Sequence, residues 1–203
     1  MMSDGGLVIV LIGDSDINRW PKSLYPGADC YHCCAVSGAT LYECVTLAQN
    51  TLKQGLENEA TNVYVVACAG ENDISQSILL EDSCKALKSF IDIIFSYEQD
   101  RLHLVFMGPK LEPWLNDDNQ SRRDYVRMSR AFERICTEHS LAERISFIDC
   151  LVMFCGESAE ERGALLGGKA KAEKAYFDHD LLHLNHRGYE MWKQRVEECM
   201  KRN

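Results

Sequence analysis

Apolar runs without polar alternation recur along the chain. The first occupies residues 7–12, and others lie at Asn62–Ala69, Leu102–Met107 and Ile145–Asp149. Unbroken runs rich in Val and Ile are typical of strands buried on both faces, as in parallel sheets flanked by helices. A less apolar stretch, Asp29 to Val36, predicts a further strand after the first. The pattern therefore predicts five strands.

Apolar residues at helical spacing separate these strands. The first series predicts a helix from about Leu41 to Gln54, with Gly55 as its stop signal. Residues 16–21 predict a short helical or looped piece, which Pro21 ends. Three later helices are marked by Cys84, Leu87, Ile91 and Ile94, by Tyr125, Met128, Phe132 and Ile135, and by Tyr189, Trp192 and Val196 with Cys199 or Met200. Strands alternating with helices predict an α/β fold with a five-stranded parallel sheet covered on both sides.

The stretch from Cys150 to Asp178 has no clear periodicity. Its charged middle, Glu157 to Lys174, fits a helix, an insertion over a functional site, or a partly mobile loop. These three alternatives stay open.

Several reactive or polar residues follow predicted strands. Ser15, Gly38, Asn72 and Lys110 each come just after a strand, and right-handed crossovers bring such loops to one edge of the sheet. Asp180-Leu181-Leu182-His183, before the last helix, can fold over the same edge. Ligands of open α/β sheets bind beyond the carboxyl ends of the strands. The pattern predicts a functional site at this edge.

These residues include each group that acyl transfer to a serine requires. Ser15 supplies a hydroxyl, His183 a candidate base, and Asp180, three residues earlier, a group that can orient the base. The backbone N–H groups of Ser15 and Gly38 and the side-chain amide of Asn72 are candidate oxyanion donors. Taken alone, Ser15 is equally well interpreted as the N-cap of a helix.

Four blocks, in order and spanning nearly the whole chain, resemble the SGNH hydrolases, a branch of the GDSL-type esterases. They are Gly13-Asp14-Ser15, Ser37-Gly38-Ala39-Thr40, Gly70-Glu71-Asn72-Asp73 and Asp180-Leu181-Leu182-His183-Leu184-Asn185. The resemblance implies a flavodoxin-like three-layer α/β/α sandwich. It also implies a triad of Ser15, His183 and Asp180, and an oxyanion hole of Ser15, Gly38 and Asn72.

The activity implied by the resemblance is hydrolysis of short acyl esters. Asp16 stands where the name-giving motif has Leu, a departure that bears on substrate shape. The Arg19-Trp20 pair and the Gly-Glu-Asn-Asp block resemble a subgroup of small acyl-ester hydrolases or acetylesterases. Candidate substrate contacts are Asp16, Trp20, Lys110 and Trp114, although Trp114 equally fits an exposed packing residue.

Two other classes of function deserve comparison. Asp14-Ser15-Asp16 resembles the Asp-x-Asp start of haloacid-dehalogenase-like magnesium phosphatases, with Asp14 as nucleophile and Asp16 as acid and base, but Asn18 departs from the residue expected there. The third class is a non-catalytic, flavodoxin-like binding module, since a fold does not by itself imply a function.

Composition and net charge limit the classes of partner that we expect. The chain has 203 residues and a formal net charge of −9, so we expect one domain over residues 1–203 that repels nucleic acid and anionic membranes. No apolar run reaches membrane-spanning length, and the start lacks the positive region of a signal peptide, which predicts a cytoplasmic protein without membrane insertion. The expected partner is a small-molecule ester. The sequence carries no signal for oligomeric state.

The ten cysteines predict small buried hydrophobic residues in a reducing compartment rather than disulfides. The cluster of Cys30, His32, Cys33 and Cys34 lacks a second cysteine pair at zinc-finger spacing. We therefore expect no metal and no cofactor.

Overall fold

Five parallel strands form the sheet of the computed structural model, which describes residues 6–28, 30–55, 62–97, 100–155 and 170–202. The strands are β1 (Leu7–Gly13), β2 (Cys30–Ala35), β3 (Asn62–Cys68), β4 (Leu102–Met107) and β5 (Ile145–Ile148). Their spatial order is β2-β1-β3-β4-β5. The predicted five-stranded parallel sheet is confirmed.

The helices follow the predicted series, with one addition. They are α1 (Ser15–Arg19), α2 (Leu41–Gly55), α3 (Glu71–Ser75), α4 (Leu80–Phe95), α5 (Asn119–Glu138) and α6 (His186–Met200). Short 3-10 turns lie at Lys22–Leu24, Pro113–Asp117, Ala142–Arg144 and Lys174–Tyr176. Residues 15–19 are helical, which decides between the two alternatives for that piece. Helix α3 was not predicted, because five residues are too few to show a periodic stripe.

Both faces of the sheet are covered by apolar layers, because alternate residues of each strand point to opposite faces. On one face, Ile9 and Leu11 belong to a core shared with Trp192 of α6. On the other, Val10 and Ile12 belong to a core that includes residues of α2 and α4. The result is the three-layer α/β/α sandwich, and strand β1, which lies between β2 and β3, ends one residue before α1.

Part of the stretch from Cys150 to Asp178 lies within the described residues. Residues 156–169 lie outside the described residues, so the alternatives for 157–174 remain undecided. The described remainder contains buried Ala170 and Ala172. The side chains of nine cysteines are described; none of the nine forms a disulfide, and five are buried. Within the described residues, no helix combines the length and apolar character needed to cross a membrane.

Gly13 closes β1 at a point of very close packing. A Cβ atom at this position would lie 2.4 Å from the carbonyl oxygen of Cys68 and 2.6 Å from Cγ1 of Ile17. The backbone N–H of Asp14 also donates to the Cys68 carbonyl, at 3.4 Å. Only glycine lets the end of β1 lie this close to β3 and α1. This contact fixes the position of Ser15, the first residue of α1.

We expect Gly13→Ala to lower the free energy of unfolding by about 1–3 kcal/mol, because the added methyl group meets backbone that cannot move aside. Chemical denaturation measures the change. Gly27→Ala is the matched control, since a Cβ at Gly27 meets nothing within 4 Å. Equal unfolding free energies for the two variants would contradict the packing argument.

Candidate active site

The N-terminus of α1 places Ser15 at the carboxyl edge of the sheet. Asp14, not Ser15, is the N-cap of this helix, because its Oδ1 accepts a hydrogen bond from the N–H of Asp16 at 3.0 Å. The alternative in which Ser15 serves as the cap is therefore wrong. The Ser15 hydroxyl is instead 3.1 Å from Nε2 of His183.

His183 lies between Ser15 and Asp180. Its Nδ1 is 2.7 Å from Oδ2 of Asp180, while Oδ1 of the same carboxylate accepts from the backbone N–H groups of Leu182 and His183, both at 3.0 Å. A carboxylate at Nδ1 favours the tautomer protonated there and leaves the Nε2 lone pair facing the serine hydroxyl. The structure thus brings together all three residues predicted for a triad.

The carboxylate of Asp180 is held in its charged form. Burial is the largest single influence and raises the pKa of Asp180, but hydrogen bonds from the ring of His183 and from the backbone N–H groups of His183 and Leu182 together lower it below its ordinary value. The guanidinium of Arg19, one turn after Ser15 on α1, lies 3.6 Å from Oδ2 of Asp180.

The loop that carries Asp180 and His183 is fixed at its base. Phe177 pairs with Leu184 in an antiparallel bridge, and the N–H of Asp178 donates to the carbonyl of His183 at 2.8 Å. Asn185 then caps α6 by accepting from the N–H groups of the next turn. These bonds explain how a short segment before a helix holds the side chains of Asp180 and His183 in place.

Of the candidate oxyanion donors, Ser15 and Asn72 line one cavity, and the amide of Asn72 already has acceptors within the protein. Nδ2 of Asn72 donates to Oδ2 of Asp14 and to the carbonyl of Ala39, each at 3.1 Å. An oxyanion would take the place of one of these acceptors. Gly38 has φ +83°, a conformation that favours glycine, and is exposed next to Ala39, but it does not line the cavity at Ser15. The roles of Gly38 and Asn72 stay predictions.

A cavity of about 360 Å³ opens beside Ser15, His183 and Asn72. Trp114, Tyr125 and Leu182 line its less polar part. Its polar part is lined by Asp14, Asp16, Glu71 and Lys110. This volume lies at the lower end of the range of small-molecule sites.

Lys110 forms a buried cluster with three carboxylates, which we call the Lys110 cluster. Its Nζ lies 2.6 Å from Oδ2 of Asp16, 2.8 Å from Oε2 of Glu71 and 2.9 Å from Oε1 of Glu112. Burial alone would lower the pKa of Lys110, but the three carboxylates raise it well above its ordinary value. The three carboxylates thus favour the charged form of Lys110.

Three of the four predicted substrate contacts need correction or reinterpretation, and Trp20 is the first of them. Trp20 does not reach the cavity: it is 2% exposed, its Nε1 donates to the carbonyl of Leu24, and its ring packs against Tyr189 and Trp192. The prediction for Trp20 is wrong, because it is a core residue.

Asp16, Lys110 and Trp114 do line the cavity. Asp16 and Lys110 are 2% and 1% exposed, however, and bind each other. Trp114 is 45% exposed, so of the four it offers a substrate the most accessible surface.

The sequence did not single out Glu71 and Glu112, two of the acidic partners of Lys110, or the cavity residues Ser75, Tyr125 and Leu182. Glu71 and Glu112 lie on different elements, and no sequence spacing links them. A signal was available for Glu71, since it precedes Asn72 directly in the block that carries the resemblance.

The aspartates required by the phosphatase alternative are engaged within the protein. Ligand atoms of Asp14, Asp16 and Cys68 lie within 4.8 Å of one another, and all three residues are buried. The ammonium of Lys110 lies against Asp16, so a divalent cation there would meet a buried positive charge at close range. This arrangement disfavours magnesium chemistry at these aspartates.

Comparisons with known proteins identify the fold. No protein-family model and no curated protein match the chain. Among solved structures, the lipase Lip_vut3 from a goat rumen metagenome is 15% identical with a TM-score of 0.70, covering 95% of this chain and 96% of the lipase. A member of the lipolytic G-D-S-L family from Veillonella parvula is 13% identical with a TM-score of 0.66, covering 97% and 100%.

A family 3 carbohydrate esterase from Clostridium thermocellum is 15% identical with a TM-score of 0.62, covering 95% of this chain and 98% of the esterase. The chain therefore has the fold of GDSL-type lipolytic hydrolases, as the resemblance in its sequence implied.

The buried Asp14 gives a test of the electrostatics at the site. Burial and the nearby carboxylates of Asp16 and Glu71 raise its pKa well above the ordinary value. Between the unfolded and the folded pKa, the folded state binds more protons, so this residue makes the protein less stable as pH rises. Below the unfolded pKa its contribution no longer changes.

We expect the unfolding free energy of Asp14→Asn, minus that of the wild type, to increase from pH 5 to pH 8, by up to about 1.4 kcal/mol per pH unit. Urea denaturation at several pH values measures the difference. Asp82→Asn, at an exposed carboxylate, is the control and should show no such slope. A difference for Asp14→Asn that is constant with pH would contradict the raised pKa.

Proposed function

We propose that the protein is a serine esterase of the SGNH type that hydrolyses short acyl esters, of the acetyl class. The observation that carries the proposal is the hydrogen-bonded chain from Ser15 through His183 to Asp180, which borders a cavity. A serine, a base within hydrogen-bond reach of it and a carboxylate that orients the base form the arrangement that activates a serine as a nucleophile.

In the proposed reaction, Oγ of Ser15 attacks the ester carbonyl carbon while Nε2 of His183 takes the hydroxyl proton. The tetrahedral intermediate collapses, the bond to the alcohol oxygen breaks, and His183 gives its proton to the departing alcohol. Water then repeats the sequence on the acyl-enzyme, releasing the carboxylic acid and restoring Ser15. Asp180 stabilises the imidazolium that forms in each half of the reaction.

The negative charge that develops on the carbonyl oxygen needs hydrogen-bond donors. We assign this role to the N–H groups of Ser15 and Gly38 and to the amide of Asn72. The contacts of Asn72 support the assignment, because they hold its amide between the end of β1 and the loop after β2. Taking up the oxyanion would exchange the Ala39 carbonyl for a more strongly charged acceptor.

The size of the cavity supports a small acyl group. Trp114 and Leu182 lie at its exposed side and Tyr125 is buried, so a long acyl chain would have to extend out of the cavity past Trp114 and Leu182.

The location and the partners are proposed on other grounds. The absence of disulfides among the nine cysteines whose side chains are described supports a reducing, cytoplasmic location. The net charge of −9 supports small or uncharged partners over polyanions.

We expect Ser15→Ala to lower kcat for an acetyl ester by on the order of 10⁴-fold or more, because the nucleophile is lost. Hydrolysis of p-nitrophenyl acetate by purified protein measures the effect. Ser96→Ala, at the exposed end of α4, is the control and should match the wild type. Activity retained by Ser15→Ala would overturn the mechanism, and a wild type inactive on every ester tested would favour the binding-module alternative.

We also expect kcat/KM to fall from acetyl to octanoyl p-nitrophenyl esters. Trp114→Ala should raise the octanoyl-to-acetyl ratio by about tenfold or more, because removing the indole opens the cavity to apolar chain. Tyr42→Ala is the control, since Tyr42 is 74% exposed and does not line this cavity. An unchanged ratio in Trp114→Ala would show that this side chain does not limit acyl length.

A further inference from the structure

We propose that Lys110 is the positioning residue of this site, because its ammonium joins the helix that carries Ser15 to the helix that carries Asn72. The inference rests on the proposed function. Lys110 does not touch the reacting atoms; it acts through Asp16 and Glu71. This interpretation replaces the expectation that Asp16 and Lys110 bind substrate.

The proposal rests on which residues stand next to Asp16 and Glu71 in the sequence. Asp16 directly follows Ser15 in α1, and Glu71 directly precedes Asn72 in α3. The ammonium of Lys110 therefore binds two residues, one next in sequence to the proposed nucleophile and the other next in sequence to the proposed oxyanion donor. Lys110 also holds Glu71 a second time, since its backbone N–H donates to Oε1 of Glu71 at 2.7 Å.

The bonding capacity of the ammonium is fully used. A lysine carries three N–H donors, and Nζ of Lys110 has three carboxylate acceptors at 2.6–2.9 Å. Asp16 depends on this contact, because its other oxygen, Oδ1, is buried and has no hydrogen-bond partner among the described residues. The backbone of Asp16 has an independent contact, since its carbonyl accepts from the hydroxyl of Tyr189 at 2.9 Å.

Burial makes these ion pairs directional and rigid. Lys110 and Asp16 are 1% and 2% exposed, so solvent screens their attraction little. Helices α1 and α3 have only five residues each, and so contribute little stiffness of their own. A misplacement of about 1 Å between reacting groups can cost about 10²-fold in rate. The cluster supplies the fixed distance that two short helices cannot supply alone.

The third carboxylate has a different neighbour. Glu112 accepts from Nζ of Lys110 with one oxygen and from Nε1 of Trp114 with the other. Trp114 lines the cavity, whereas Glu112 is adjacent in sequence to neither Ser15 nor Asn72. The three carboxylates thus divide into two that support turnover and one that supports the fit of the substrate.

This division is tested with three isosteric amides, Asp16→Asn, Glu71→Gln and Glu112→Gln. We expect the first two to lower kcat for p-nitrophenyl acetate by about 10- to 100-fold while KM changes less than about threefold. Glu112→Gln should raise KM by a larger factor than it lowers kcat. Asp82→Asn, at the exposed pair with Lys85, is the matched control and should leave both constants unchanged.

Melting curves establish that each variant is folded at the assay temperature. If the cluster served stability alone, the folded fraction of every variant would keep the wild-type kcat, and this result would overturn the proposal. The same split between kcat and KM in all three variants would also overturn it. If Glu71→Gln does not fold, the kcat and KM of Asp16→Asn test the proposal, because this variant removes only one of the three carboxylates around Lys110.

The two proposals fail in different ways. Uniform effects of the three amides, with Ser15→Ala inactive, reject the positioning role and leave the esterase proposal intact. Activity retained by Ser15→Ala rejects the esterase mechanism itself.

Discussion

The parallel pairing of β1 with both of its neighbours is the constraint on which the rest of the structure depends. Because β1, β2 and β3 run in the same direction, their carboxyl ends and the loops that follow meet at one edge. Gly13 tightens this edge by letting the end of β1 touch the Cys68 carbonyl, so α1 starts close to the sheet. A serine at the first position of that helix then faces the loop that carries His183. The geometry of the proposed chemistry thus follows from strand direction and one glycine.

The buried charged side chains at this edge of the sheet are a second constraint, in addition to strand direction. The edge holds Asp14, Asp16, Glu71 and Glu112 within or next to the Lys110 cluster, whose buried cation is Lys110. Burying so many carboxylates is costly unless they are paired and hydrogen-bonded, and removing one partner of a buried pair is more costly still. The cluster is therefore better understood as a device that fixes relative positions than as a source of stability.

Much of the fold and the candidate triad could be predicted from the sequence, for reasons that particular residues make clear. Strands such as β1 and β3 are buried on both faces, so they appear as unbroken apolar runs, and Ser15 and His183 stand at element boundaries inside recognisable blocks. The prediction that Trp20 contacts substrate was wrong because a tryptophan before a proline gives no sign of the ring packing that buries it. The partners of Lys110 come from three separate elements, so only tertiary structure brings them together. Helix α3 is too short for periodicity to reveal.

The central claim is that the hydroxyl of Ser15 is activated as a nucleophile by His183. The most direct measurement is reaction of the intact protein with a fluorophosphonate, followed by mass spectrometry of the intact chain and of its peptides. The account predicts one covalent phosphonyl adduct, located on Ser15, that forms far more slowly in His183→Ala. No adduct on Ser15 in the folded wild type, or an equal rate in the His183→Ala variant, would contradict it.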